Sequence, residues 1–288
     1  MTARSLNRAM TVANDEALLS RLVVALAPVP GIEAVALGGS RARGMATAGS
    51  DYDIGLYYRG RRVIDIAALG RVAAMLDDRG TAAEVTSIGG WGPWIDGGGW
   101  LLIDGVHVDL LYRDLDRVTA AIDDAHAGKV EPHYQPGHPH AFLPTIYVGE
   151  VAYARALHDP SGSLAALQAR TTPYPPALAA ALRRRFEWEA TFALANARKS
   201  IDRSDVSYLA GCAFRAVASL CQALFALNGV WLLNEKGAVA AVDGFALRPA
   251  DFSQRVARLY AELGSGTGAA ALDRLEALLA EAQSLWPD

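Results

Sequence analysis

The sequence predicts an α+β protein in which a mixed-sheet domain is followed by an all-α, helical-bundle domain. Short apolar segments with a two-residue period fill the chain up to about residue 112, whereas the period becomes 3.6 residues from residue 115 onward. A loop rich in proline, glycine and histidine, at 131–144, lies where this change occurs. We therefore expect an α/β domain over residues 1–140 and a helical domain over residues 141–288.

The elements of the first half follow from local patterns. The first amphipathic segment is stopped by Pro28 and Pro30, and a short apolar run then leads into a glycine pair. Later segments alternate like strands or repeat like helices, and Gly105 separates the two strands of a hairpin. We predict helices over 16–26, 40–45 and 63–78, and strands over 32–37, 51–58, 83–88, 101–104 and 106–112.

The second half is predicted to be helical throughout. Its apolar residues recur at helical spacing, and prolines or glycines separate one segment from the next. The predicted helices cover 115–127, 145–157, 176–200, 206–228, 249–263 and 269–286.

Composition and charge exclude several classes of protein. The chain is 52% hydrophobic and 20% charged, and no apolar run reaches the ~18–20 residues that a membrane span needs. The N-terminal segment lacks the apolar core of a signal peptide, so we expect a cytoplasmic protein without membrane partners. With a net charge of −4, the chain lacks the basic surface of a general nucleic-acid binder, and we expect no nucleic-acid partner.

Three aspartates predict a metal site. Asp51 and Asp53 are two residues apart in a predicted strand, so both point to one face, where two like charges are costly unless a cation lies between them. Asp109 is the only acid in the apolar run 106–111. On adjacent strands, these carboxylates could hold two Mg²⁺ ions about 3.5–4 Å apart. The alternative is that Asp51 is a turn residue, Asp53 is a solubilising charge at a strand edge, and Asp109 pairs with an arginine.

The glycine pair predicts a phosphate site beside these acids. Gly38 and Gly39 let backbone N–H groups approach an anion, and Ser40 adds a free hydroxyl. A phosphate site at one end of the motif and a divalent metal at the other indicate chemistry on a nucleoside triphosphate.

Together these residues resemble the polymerase-β-type nucleotidyltransferase superfamily. The resemblance covers about residues 30–112 and rests on Gly38-Gly39-Ser40, Asp51-x-Asp53 and the later strand residue Asp109. It implies that the glycine turn and Ser40 contact the triphosphate, that Asp51 and Asp53 bind both Mg²⁺ ions and that Asp109 binds the catalytic one. Weaker candidates for phosphate contacts are Arg41, Arg43 and Ser50, although either arginine could equally be a solvated helix residue.

The order of the two halves is similar to that of antibiotic adenylyltransferases that act on aminoglycosides. In one type, a glutamate followed by Val-Thr is the general base, and Glu84-Val85-Thr86 stands at a comparable place here. Glu84 is therefore predicted to take the acceptor proton, against the alternative of a surface glutamate that begins a strand. Lys236 is predicted to reach the nucleotide phosphates, as a lysine of those enzymes does, or to be an ordinary loop lysine.

Tryptophans around the predicted metal site allow two interpretations. Trp91, Trp94 and Trp100 lie in or next to a glycine-rich loop that precedes the strand of Asp109. They could stack on an adenine or sugar ring, or pack into the core.

The leading hypothesis is a Mg²⁺-dependent enzyme that moves a nucleoside monophosphate, from ATP as the expected donor, to a hydroxyl of a small molecule. The acceptor could be an aminoglycoside-like antibiotic. The alternatives are transfer to a protein or RNA end, as in antitoxin-type AMPylation, and a non-catalytic nucleotide-binding module. The toxin-partner motif, an arginine followed four to six residues later by histidine, is missing from the helical half, where Arg155 and His158 are too close. The intact acid triad argues against the non-catalytic module.

Overall fold

The computed structural model describes residues 3–47, 49–60, 63–80, 85–201, 205–264 and 268–286. The chain divides into two compact units. Unit 1 comprises residues 1–120 and 150–170, and unit 2 comprises residues 121–149 and 171–288. The protein is α+β: a mixed sheet lies in unit 1, and the C-terminal region is mostly helical. The predicted functional boundary at residue 140 stays a prediction.

The described elements follow one another as eleven helices and five strands. The helices are α1 (Ala3–Leu26), α2 (Gly39–Ala42), α3 (Ile66–Leu76), α4 (Leu115–His126), α5 (Thr145–Tyr153), α6 (Ser163–Ala169), α7 (Pro176–Ser200), α8 (Val206–Leu227), α9 (Ala238–Val242), α10 (Phe252–Gly264) and α11 (Gly268–Ser284). The strands are β1 (Ala34–Leu37), β2 (Tyr52–Tyr58), β3 (Gly98–Ile103), β4 (Val106–Asp114) and β5 (Arg155–His158).

The sheet of unit 1 has the strand order β3-β4-β2-β1-β5. Strands β2 and β4 run parallel, and the other neighbouring pairs are antiparallel. The parallel pair needs a crossover, which the chain makes through α3 and β3. This order places β2 and β4, the strands of the predicted metal ligands, side by side at the centre of the sheet.

The two faces of the sheet carry different side chains. On one face, residues such as Ile54 of β2 and Val108 of β4 are fully buried in a core that includes side chains of α1 and α3. The opposite face carries Asp53 of β2, Asp109 of β4 and Trp100 of β3, all at least partly accessible. We call this second surface the open face. A sheet with one packed face leaves the other free for polar side chains and ligands.

The core of unit 2 lies between its helices. Helices α7 and α8 pack along one another, and side chains of α9, α10 and α11 complete the same hydrophobic cluster. Asp205 begins α8 by accepting a hydrogen bond from the Tyr208 N–H at 3.0 Å, which satisfies one free amide of the first turn.

Among the described helices, only α8 is long and apolar enough to cross a bilayer. However, 72% of its most apolar window is buried inside the structure. This burial is typical of the core helix of a soluble protein, which passes the same length and composition test.

Helix α1 begins at Ala3 rather than at residue 16, and two further predicted elements differ from the structure. The strand predicted over 83–88 is replaced, in its described part, by a single bridge between Val85 and Gly99 that leads into a turn. The helix predicted over 145–157 ends at Tyr153, because Arg155–His158 pairs with the outer edge of β1 as β5. Helices α6 and α9 were not predicted.

Candidate active site

Two of the three predicted metal ligands, Asp53 and Asp109, are paired on adjacent strands of the sheet. Strands β2 and β4 are in a parallel register that pairs Asp53 with Asp109. Asp51 directly precedes β2, two residues before Asp53, and is exposed. Paired residues of adjacent strands project from the same face, so the open face brings the Asp53 and Asp109 carboxylates together. Within the part of the chain that the structure describes, none of the three carboxylates forms an ion pair or a side-chain hydrogen bond.

Burial and neighbouring negative charge shape the electrostatics of this pair. The pKa of Asp53 is raised to about 6, chiefly by burial and then by the negative charges of Asp109, Glu150 and Asp51, while Arg113 offsets part of the effect. Burial and the charge of Asp51 also raise the pKa of Asp109. Each raised pKa means that the ionised form is disfavoured and that a bound cation would be favourable.

The glycine turn lies against the carboxylate of Asp53. The N–H of Gly38 donates to the carbonyl oxygen of Asp53 at 2.7 Å, which fixes the turn to β2. Gly39 has a φ of +60°, and a Cβ atom there would lie 1.7 Å from Asp53 Oδ2. Only glycine fits this position, because it needs both a left-handed backbone and space for the carboxylate. The turn and the predicted metal ligand are therefore parts of one local structure.

Ser40 lies in the single helical turn α2, directly after Gly39. Its hydroxyl makes no hydrogen bond to another described residue. The amides of a first helical turn have no partners within the helix, so those of Gly39, Ser40 and Arg41 are available to an anion.

The predicted phosphate-contacting arginines have partners within unit 1. Arg41 donates through Nε and Nη2 to the carbonyl oxygen of Ser50, at 3.1 and 2.7 Å, and its guanidinium lies 3.7 Å from the centre of the Tyr52 ring. It also pairs with Asp15 at 3.3 Å. Arg41 thereby holds the segment before Asp51 against α2. The exposed Arg43 donates to the carbonyl oxygen of Gly39 at 3.2 Å.

The Ser50 hydroxyl is used within its own loop. It accepts a hydrogen bond from the Thr47 N–H at 2.9 Å and lies 3.2 Å from the Thr47 hydroxyl. This contact, together with the bonds from Arg41, orders the loop that leads into β2.

Comparison with known proteins agrees with this geometry. Residues 21–126 match the nucleotidyltransferase domain family, over a segment that contains the glycine turn and all three aspartates. This segment is a polymerase-β-type nucleotidyltransferase domain. A nucleotidyltransferase-like protein from Exiguobacterium sibiricum 255-15 is 12% identical, with a TM-score of 0.42 over 93% of this chain and 78% of that chain. No curated protein matches the sequence.

The family uses a nucleoside triphosphate and a divalent metal, and the donor set of this nucleotidyltransferase domain suits such a metal. Carboxylate oxygens are the ligands that Mg²⁺ prefers, and burial together with neighbouring negative charge raises the pKa values of Asp53 and Asp109, an effect that a bound cation would offset. As the side chains stand, the described residues include no group of three or more histidine, cysteine, aspartate or glutamate side chains arranged to hold a metal. The three-carboxylate metal site therefore stays a prediction.

Two further predicted residues are not joined to this cluster by the structure. Glu84, the predicted general base, lies outside the described residues. Lys236 belongs to unit 2, where it is exposed in the turn before α9 and its N–H donates to Asn234 Oδ1 at 2.8 Å. The roles predicted for both residues stay predictions.

One ion pair of unit 1 was not predicted from the sequence. Arg113 of β4 donates two hydrogen bonds to Glu150, at 2.6 and 2.7 Å, and its side chain is buried. Arg113 is on the same face of β4 as Asp109, four residues further on. Its charge lowers the pKa of Asp53, while that of Glu150 raises it. An arginine inside an apolar strand was the available signal, but its partner lies 37 residues away.

Proposed function

We propose that this protein is a metal-dependent nucleotidyltransferase that moves a nucleoside monophosphate, AMP from ATP, to a hydroxyl of a small molecule and releases pyrophosphate. The family match supports nucleotidyl transfer in general, and the metal, the ATP donor and the small-molecule acceptor are the added parts of the proposal. The observation that carries it is the paired register of Asp53 and Asp109, with the glycine turn packed against Asp53.

In the proposed mechanism the glycine turn binds the triphosphate. The first-turn amides of α2 have no partners within the helix and would donate to the phosphates, and Ser40 would add one hydroxyl donor. Because the Gly38 N–H is bonded to the backbone of β2, the turn holds the phosphates at a fixed position beside Asp53. Such fixed donors stabilise charge on the phosphates without reorganising during the reaction.

The carboxylates of Asp51, Asp53 and Asp109 would hold two Mg²⁺ ions. When bound, the ions neutralise phosphate charge and favour ionisation of the acceptor hydroxyl. Asp53 has to be ionised to act as a ligand, and Arg113 assists by lowering its pKa. Glu84 is our proposed general base, which accepts the proton of the acceptor hydroxyl.

The proposed acceptor class is a small hydroxyl compound such as an aminoglycoside-like antibiotic. The support is the net charge of −4, which suits a cationic small molecule and disfavours RNA. We propose a cytoplasmic location, where ATP and Mg²⁺ are available, and we propose that residues 141–288 bind the acceptor.

The test is transfer of label from α-³²P-ATP with Mg²⁺ to a panel of aminoglycosides and simple sugar alcohols. We expect label in a small-molecule product, with equimolar pyrophosphate. Asp53→Asn should abolish the transfer, whereas Asp116→Asn, which removes an exposed carboxylate of the same unit, should not. Label found in protein or RNA instead would favour the macromolecular alternative. ATP binding without transfer would favour a nucleotide-binding module.

A further inference from the structure

The open face carries an exposed tryptophan in line with the carboxylates. Strand β3 pairs with β4 so that Trp100 is opposite Asp109, and Asp109 is opposite Asp53 on β2. Residues paired in this way project from one face, with neighbouring strands about 4.8 Å apart. Trp100 is 57% exposed on the edge strand β3, so its indole is accessible beside the carboxylates.

A second tryptophan holds the Trp100 ring in place. Trp91 stacks on Trp100, with ring centres 4.5 Å apart and planes 24° from parallel. A Cβ atom at Gly98 would lie 1.7 Å from the carbonyl oxygen of Leu110 and 2.9 Å from Cη2 of Trp91, so glycine lets both groups approach β3. One face of the Trp100 indole is thus covered by Trp91, and the exposed area belongs to the rest of the ring. The stacked pair forms an aromatic platform next to Asp109.

The strand order places this platform and the glycine turn on opposite sides of the carboxylates. The glycine turn follows β1, which neighbours β2 on the side away from β4, and Trp100 is on β3, beyond β4. In phosphoryl-type transfer the attacking and leaving oxygens are in line on opposite sides of phosphorus. If the leaving pyrophosphate is held by the turn, the acceptor hydroxyl approaches from the side of β4 and β3. Trp100 is therefore on the acceptor side of the carboxylates.

We propose that Trp100, supported by Trp91, binds the acceptor by stacking on a ring that carries the reacting hydroxyl. This inference rests on the proposed function and adds to it the substrate class, a ring alcohol rather than an open-chain one. The face of an indole is negatively polarised and attracts the C–H groups of a sugar or cyclitol ring, as well as cations. Trp100 is accordingly an acceptor-binding residue, separate from the nucleotide site.

The test compares a ring probe with an open-chain probe. Binding of methyl α-D-glucopyranoside and of glycerol is measured by saturation-transfer NMR, with and without Mg²⁺ and α,β-methylene-ATP. We expect the wild type to prefer the ring probe by about ten-fold, the scale of one stacked ring. Trp100→Ala should remove the preference, and Trp100→Phe should retain most of it. Trp91→Ala, which removes only the support, should reduce it.

Tyr134 is the control, since it is an aromatic residue 87% exposed that lies outside unit 1 and outside residues 141–288. Tyr134→Ala should keep the preference. The proposal is overturned if the wild type shows no preference, or if the preference persists in Trp100→Ala. Binding of α,β-methylene-ATP, measured on the same samples, tests the proposed function separately. Absence of nucleotide binding by the wild type would contradict that function, whereas the preference for the ring probe could still be measured.

Discussion

At the scale of single residues, the raised pKa of Asp53 means that its ionised carboxylate lowers the stability of the fold at neutral pH. Its pKa rises from 3.8 to about 6 on folding, first because of burial and then because of Asp109, Glu150 and Asp51. The fold therefore loses stability as the pH rises through this interval, and the loss is complete above it. A metal or a neutral side chain would remove the penalty.

We expect Asp53→Asn to increase the free energy of unfolding at about pH 7 by about 1–2 kcal/mol, a discounted value for a two-unit pKa shift. Near pH 4, where the wild-type carboxyl is largely protonated, the gain should vanish. Urea denaturation at both pH values measures the effect. A gain that is independent of pH, or a loss at neutral pH, would show that Asp53 is not strained by its charge.

Gly39 provides a second prediction at this scale. Gly39→Ala should destabilise the fold by about 1–3 kcal/mol and lower transfer activity, because it combines a left-handed backbone with a clash against Asp53. Gly44 is the matched control: its φ is +67°, but a Cβ atom there meets nothing within 4 Å. Gly44→Ala should show only the smaller backbone cost in thermal unfolding. Equal effects of both substitutions would contradict the close approach of Gly39 to Asp53.

At the scale of elements, Arg113 of β4 and Glu150 of α5 form an ion pair, and both of its charges shift the pKa of Asp53. Arg113→Met should cost about 2–4 kcal/mol, because Glu150 loses its partner in a poorly solvated place. Activity should also fall and require a higher pH, since removing the positive charge raises the pKa of Asp53.

The control is Arg21→Met, which breaks the exposed pair between Arg21 and Asp104 in the same unit. That change should alter stability by less than about 1 kcal/mol. Denaturant unfolding and the pH profile of transfer measure the two effects. An Arg113 variant as stable as the Arg21 variant, with an unchanged pH profile, would contradict the role given to the pair.

Elements with a strong local pattern were predictable from the sequence. Helix α7 has the predicted bounds, β2 begins one residue later than predicted, and β4 ends two residues later than predicted. Strand β5 was not predictable, because Arg155–His158 continues the apolar spacing of α5 and becomes a strand only by pairing with β1. In the candidate site, alternation along β2 and β4 put the aspartates on one face. The Arg113–Glu150 pair and the Trp91–Trp100 stack depend on tertiary contacts that no local pattern specifies.

At the scale of the whole molecule, ligand binding should stabilise the nucleotidyltransferase domain. ATP and Mg²⁺ together should raise the melting temperature. At a ligand concentration of a hundred times the dissociation constant, binding adds about 2.7 kcal/mol to the free energy of unfolding. ATP alone or Mg²⁺ alone should raise the melting temperature less, because the carboxylates bind the phosphates through the cation and the phosphates supply part of the cation's ligands. In Asp53→Asn the joint effect should be largely lost in differential scanning fluorimetry. Equal shifts for that variant and the wild type would indicate that the nucleotide binds elsewhere.

The most direct test of the central claim is Mg²⁺-dependent transfer of label from α-³²P-ATP to a small-molecule acceptor, followed together with pyrophosphate release. The account predicts a labelled product and pyrophosphate in equal amounts, with a loss of at least about a hundred-fold in Asp53→Asn. Transfer that survives in Asp53→Asn, or ATP consumption that yields inorganic phosphate rather than pyrophosphate, would contradict it.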